Sequence, residues 1–195
     1  PLEKLRKSTD HLFFQKKSKL DKDSLGGFWT YTTERFFYIS ELMEELNLKN
    51  VFHLENDNML YADLGELLPV FEKNYPGIGL VMFNDDICVP SFMYIADSNS
   101  MKSLCPLVAK LAFEGRDDMF SLGAFKKSFP REVVDCLPLI MPGYPENPPT
   151  RSNHPEMFSK YLEEFDYVFD GASLGQYLDG MNPRVHVENL GPGYI

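Results

Sequence analysis

No apolar run in these 195 residues approaches a membrane span; runs such as Leu137–Met141 stop at about five residues, against the 20 or so a bilayer requires. Cysteine is scarce, and Cys88, Cys105 and Cys136 are too widely spaced for a zinc knuckle or a redox pair. An odd count without close pairing points to reduced, structural thiols. No Asn-x-Ser/Thr sequon occurs, and the basic start (Lys4, Arg6, Lys7) runs into polar residues rather than an apolar signal core. The compartment expected from these features is the reducing cytoplasm. Positive charge is short as well: 19 Lys and Arg face 29 Asp and Glu, a net charge of -10. A nucleic-acid backbone binder carries the opposite balance, so phosphates would be reached here through a bridging divalent cation. Gly-x-Gly-x-x-Gly, Walker, Gly-x-Ser-x-Gly and HExxH patterns are missing, which leaves dehydrogenase, nucleoside-triphosphatase, serine-hydrolase and zincin readings without support.

What is present suits one domain with a real core: 44% of the residues are hydrophobic and 25% charged. Residues 1–27 are polar and Lys-rich, with Phe13 and Phe14 as anchors of a surface helix before the Leu25-Gly26-Gly27 turn. Phe36, Ile39, Leu42, Met43 and Leu46 then recur at helical spacing, with Thr32 or Thr33 as cap, and predict a helix whose stripe faces a sheet. Val51–Leu54 reads as a short buried strand. A capping-box pattern at Asp63 and Glu66 opens a helix through Lys73 with Leu64, Leu67, Leu68 and Phe71 as its apolar stripe. Strands are predicted at 78–83, 91–95, 137–141 and 167–169. Helices are predicted at 99–113, after Asp117-Asp118 to about Lys127, near 156–165 and around 174–178. Residues 142–155 hold five prolines and form a loop. Strands alternating with helices mean an α/β fold with a mostly parallel sheet flanked by helices.

In open α/β sheets ligands sit at the carboxyl ends of strands. Glu55/Asp57, Asp117/Asp118 and Asp170 fall at such ends or at helix starts beside them. Glu55-Asn56-Asp57 leaves a buried strand, and two carboxylates at i and i+2 can reach one hard divalent cation; the same triplet is equally that of a solvated turn. Asp117 and Asp118 open a helix, where the dipole favours an ionised carboxylate; helix capping alone would use one of them. Asp170 precedes Gly171 in a turn. His154 and His186 are lone histidines, which in loops are more often surface or hydrogen-bonded residues, while His53 sits inside a strand and reads as packing. Asn84-Asp85-Asp86 follows a strand as a solvated loop or a ligand contact, and Trp29, outside the helical stripe, is the candidate for stacking on a ligand.

Phe28-Trp29-Thr30-Tyr31-Thr32-Thr33-Glu34-Arg35-Phe36-Phe37, followed by Asn50–Tyr61 with its Glu-Asn-Asp triplet, resembles the helix and metal-motif strand of GT-A-type glycosyltransferases, the nucleotide-diphospho-sugar transferase fold. Val89–Ile95, Asp117-Asp118-Met119 and Phe169–Leu178 resemble further segments of uncharacterised members of that group, so the likeness covers residues 28–195 in order. It implies a metal-dependent hexosyltransferase that moves a sugar from a nucleoside-diphosphate-sugar donor to a glycan or other hydroxyl acceptor. Asp57, Glu55 and a late histidine (His154 or, preferred, His186) would hold Mn²⁺ or Mg²⁺; Glu55, Asn56 and Asp57 would meet the donor; Asp118, Asp117 or Asp170 would position or deprotonate the acceptor. The family pattern has Asp where this chain has Glu55, which shifts direct ligation to Asp57. It also begins with a βαβ half that binds the nucleoside base, whereas 27 mostly polar residues precede Phe28 here; the expectation is a domain at 28–195 without that part. The alternative is a non-catalytic carbohydrate-binding or protein-interaction domain on the same scaffold.

Overall fold

The computed structural model describes residues 5–56, 58–139 and 155–169. Its elements run α1 (Thr9–Lys17), α2 (Phe28–Glu45), β1 (Val51–Leu54), α3 (Leu64–Asn74), β2 (Ile78–Met82), β3 (Cys88–Ile95), α4 (Ser98–Phe113), α5 (Asp118–Ser128), β4 (Val134–Cys136) and α6 (Leu162–Phe165). This is an α/β arrangement around a four-stranded sheet of order β1-β3-β2-β4.

The sheet is mixed rather than mostly parallel. β3 is antiparallel to both β1 and β2, and β2 is parallel to β4. The reason is the length of the links. Only residues 83–87 join β2 to β3, too few for the crossover that a parallel pair needs, so β3 folds back as a hairpin. It inserts between β1 and β2, which are connected through α3 and therefore run the same way. β1, β2 and β4 thus share one carboxyl edge, and β3 starts there.

Side-chain alternation divides the sheet into two faces. Phe52 of β1 and Phe92 and Tyr94 of β3 stack around Phe71 of α3, which also meets Phe165 of α6. His53, between Phe52 and Leu54, points the other way, to Phe36 of α2. Fully buried Leu80, Met93, Ile95, Leu104, Val108 and Phe125 belong to the same continuous core. Tyr75 closes α3 against β4 by donating its hydroxyl to the Cys136 carbonyl at 2.9 Å.

Three helix starts follow the capping logic: Asp63, Asp97 and Asp117 accept from the backbone N–H of Gly65, Ser100 and Phe120. α2 departs from expectation in two ways. It begins at Phe28 after Gly27 in the left-handed region, which puts Thr32 and Thr33 inside the helix. Its buried arc is Thr33, Phe36, Phe37, Ser40 and Met43 with Glu34 and Glu41, whereas Leu42 and Leu46 are exposed and Ile39 is half-buried. The stripe is rotated because α1 packs on α2 and satisfies polar side chains there that would otherwise face water.

In the chain's last third, the strand predicted at 137–141 lies earlier, as β4. The helix predicted near 156–165 is a 3-10 turn (Pro155–Ser159) and the short α6, separated by Tyr161 at φ 61°. Residues 167–169 form no strand; the Phe169 N–H donates to the Pro138 carbonyl at 2.8 Å. The helix predicted around 174–178 and the loop at 142–154 lie outside the described residues.

Candidate functional site

β1 delivers the site. Because side chains alternate, His53 and Glu55 leave the strand on the α2 face and Leu54 on the α3 face. The Glu55 N–H donates to the Ser91 carbonyl at 2.9 Å, which keeps the turn tied to β3 as it leaves the sheet. The Asn58 N–H donates back to the Glu55 carbonyl at 3.2 Å, and its side chain donates to the Ser91 carbonyl. Asn56 is exposed, and Asp57 lies outside the described residues.

From the other side comes α5. Its approach depends on Gly123, where a Cβ would lie 1.8 Å from the Asp86 carbonyl oxygen of the β2–β3 link. Glycine inside a helix costs about 1 kcal/mol relative to alanine, and here it permits backbone contact between helix and hairpin. The helix start then lies over the sheet edge. Asp117 caps it, its Oδ1 accepting from Phe120 N–H at 2.9 Å, while Asp118 turns inward and is only 2% exposed.

Arg35, the one basic residue among four glutamates in α2, joins these parts. Its Nη1 donates to Glu55 Oε1 at 2.5 Å and its Nη2 to Asp118 Oδ2 at 3.0 Å, pairs separated by 20 and 83 positions in sequence. The guanidinium also lies 5.1 Å from the Phe36 ring centroid. Asp118 Oδ1 accepts from the Met119 N–H at 2.9 Å, so both its oxygens are engaged.

The electrostatics follow from this packing. Burial pushes the Asp118 carboxyl up to about 6, against the pull of Arg35 and with a further push from Asp117 and Glu55. Burial and the Arg35 charge hold His53 down at about 4. Full burial, with Cys136, Asp118 and Glu55 as like-signed neighbours, raises the Cys88 thiol well above its usual range although Arg35 pulls the other way. Among the described residues, two buried polar atoms here find no partner: Arg35 Nε and His53 Nε2.

Of the residues singled out in the sequence, the fold therefore brings Glu55 and Asp118 together and leaves Asp117 as a cap beside them. Asp170, His154 and His186 lie outside the described residues. Among those described, no group of three or more His, Cys, Asp and Glu is arranged to hold a metal ion, and no helix is long and apolar enough to cross a membrane. Asn84 serves its own turn, its Oδ1 accepting from Asp86 and Ile87 N–H at 2.8 Å each. Asp86 pairs with Lys127. Trp29 packs edge-on against Phe28. Arg35 was missed as a site residue; its sequence signal was a lone cation in an acidic helix.

On the α3 face, across the sheet from the Arg35 cluster, lies a cavity of about 460 Å³. Leu54, Leu67 and Phe92 floor it, Asn58 and Tyr61 come from the segment after the acidic turn, and Tyr167 and Phe169 from the chain beyond α6. The acidic turn thus begins at Arg35 and ends at the cavity wall. No protein-family model, curated protein or solved structure matches this chain.

Proposed function

We propose that the protein is a metal-dependent glycosyltransferase of the GT-A kind, transferring a sugar from a nucleoside-diphosphate donor to a hydroxyl acceptor. The convergence of Glu55 and Asp118 on Arg35 at the carboxyl edge of the sheet is the observation that carries the reading. Scattered solvated turns would not place two acids, 63 positions apart in sequence, on one guanidinium.

In this reading Asp118 anchors Arg35, and Arg35 fixes Glu55 and with it the strand-end turn. A cation seated between Glu55 and Asp118 would compete with the guanidinium already there, so Asp57 is the residue left to hold Mn²⁺ or Mg²⁺, with Asn56 and His186 as the remaining candidates. Carboxylate oxygen is the donor such hard cations take. Bound there, the ion would neutralise the diphosphate as it leaves. Proton removal from the acceptor falls to Asp170, because both oxygens of Asp118 are occupied and a general base must reach the proton it takes.

Calorimetric titration with UDP-sugars, with and without Mn²⁺, tests the reading. Metal-dependent affinity is expected in the native chain and its loss in Asp57→Asn, with the fold retained. Unchanged metal affinity in that variant removes the motif from the mechanism. No metal-dependent donor affinity in the native chain leaves the scaffold as a carbohydrate-binding or interaction domain.

A further inference from the structure

We infer that the cavity beside the acidic turn is the acceptor subsite, and that the acceptor is an uncharged amphipath: an apolar tail or ring seated in the cavity, with its hydroxyl held at the turn. This rests on the glycosyltransferase reading for the word acceptor; the binding itself does not.

At about 460 Å³ the cavity has the size of an ordinary small-molecule pocket. Its chemistry is lopsided. Among the described residues, not one that lines it carries a charge. Yet Leu54 in its floor is followed at once by Glu55, which pairs with Arg35. A nucleoside diphosphate carries negative charge that these walls cannot neutralise, in a chain whose own net charge is -10. The donor is excluded by that mismatch, and an uncharged apolar group is what the walls complement.

The rim supports the same occupant. Met59 is 75% exposed and Tyr61 81%, and across the mouth Tyr167 is 44% and Val168 37% exposed. Two chain segments about 100 positions apart thus leave apolar side chains uncovered at one opening, as ligand-binding grooves do. Tyr61 and Tyr167 add rings that stack on aliphatic or sugar C–H faces and hydroxyls for a polar end. Asn58 joins the two halves, being a member of both the turn and the wall.

The probe for the test is octyl β-D-glucoside below its micelle concentration, titrated into the full chain by calorimetry and by amide chemical-shift mapping. Saturable binding is expected, with shifts at residues 58–62 and 167–169. Ala62→Trp fills the cavity from its wall, and Tyr167→Lys places a charge at its mouth; each should weaken binding by about tenfold or more. The second variant changes a half-exposed rim position, so the test survives a misfolded Ala62→Trp. Absence of saturable binding, or binding that both folded variants retain, overturns the inference. So does binding to neutral phosphatidylcholine vesicles with none to the monomeric glucoside, which would make the rim a membrane contact. A native chain that binds the glucoside but never a UDP-sugar with Mn²⁺ sinks the transferase reading and leaves the amphipath site standing, so the two failures are separable.

Discussion

Helix α2 carries two clusters of the same design on opposite flanks. On one, His11 of α1 is wedged between two carboxylates: Nδ1 lies 2.9 Å from Glu41 Oε1 and Nε2 lies 3.0 Å from Glu34 Oε1. On the other, Arg35 is wedged between Glu55 and Asp118. The first is closed. His11 has no exposure, its ring stacks on Phe37 with centroids 5.2 Å apart, and Gln15 supplies a further donor to Glu34 at 2.6 Å. Both ring nitrogens face carboxylate oxygens. The second is open: Arg35 and Glu55 side chains are 21% and 28% exposed, and among the described residues Arg35 Nε and His53 Nε2 have no partner. A cluster that only holds helices together has its hydrogen bonds completed. A cluster at the sheet edge whose charged side chains stay partly exposed is the one placed to meet something else.

The sharpest way to break the comparison is at the closed cluster. Glu41→Ala should cost about 3 kcal/mol, because it leaves Nδ1 of a fully buried ring and the Ser8 N–H without their acceptor. Urea unfolding measures the loss, and donor binding at temperatures where the variant stays folded should be unaffected. A loss as small as that of an exposed ion pair would mean the cluster is no clasp. Glu34 contributes with a defined sign. The His11 hydrogen bond holds its carboxyl below the usual value, so this stability is full above the ordinary pKa of 4.5 and drains as pH falls below it.

Next in size are changes that disturb the open cluster. Gly123→Ala forces a Cβ into the Asp86 carbonyl, and α5 must shift, at about 1–3 kcal/mol. The shift draws Asp118 from Arg35, so metal-dependent donor affinity should fall with it. Arg35→Met should lose about 1–3 kcal/mol, because Glu55 is partly solvated and buried Asp118 keeps its Met119 N–H bond, yet should abolish donor binding. Retained donor affinity in Arg35→Met would reduce the open cluster to a second clasp.

A smaller effect is hidden in the pH profile. The native carboxyl of Asp118, raised from 3.8 to about 6, favours the folded state in acid and loses that advantage as pH rises through 6. His53, lowered from 6.5 to about 4, works the other way: its contribution is full above 6.5 and is lost as pH falls toward 4. Between about pH 4 and 6 the native state holds nearly one extra proton at Asp118 and nearly one fewer at His53, so the two slopes cancel. In EDTA, Asp118→Asn should unmask a stability that falls on acidification from 6.5 to 4, and His53→Gln one that rises. Profiles parallel to the native one in both variants would refute the pairing.

The strand VFHL with its acidic exit, the capped helices α3, α4 and α5, and the α/β class were legible because each rests on local pattern. What escaped depended on partners far along the chain. Nothing near Arg35 announces Glu55 and Asp118 at 20 and 83 positions' distance. The expectation of a mostly parallel sheet failed at a five-residue link, where loop length should have outranked the alternation of strands with helices.

The register of α2 is the clearest case and sets the smallest effect. Hydrophobic spacing alone favours the face of Ile39, Leu42 and Leu46. Burial instead centres on Phe36 and Phe37 and takes in Thr33, Ser40 and Glu41, because α1 brings His11 to that side. Leu42 is left 36% exposed and Leu46 58% exposed. Leu42→Ala should therefore cost under about 1 kcal/mol, the range of surface substitutions, rather than the 2–5 kcal/mol of a core leucine. Phe37→Ala, one face away, should cost about 3–5 kcal/mol and loosen His11, which stacks on that ring. Equal losses in the two variants, read from the same denaturant series, would put Leu42 back in the core and reverse the assignment of the two flanks.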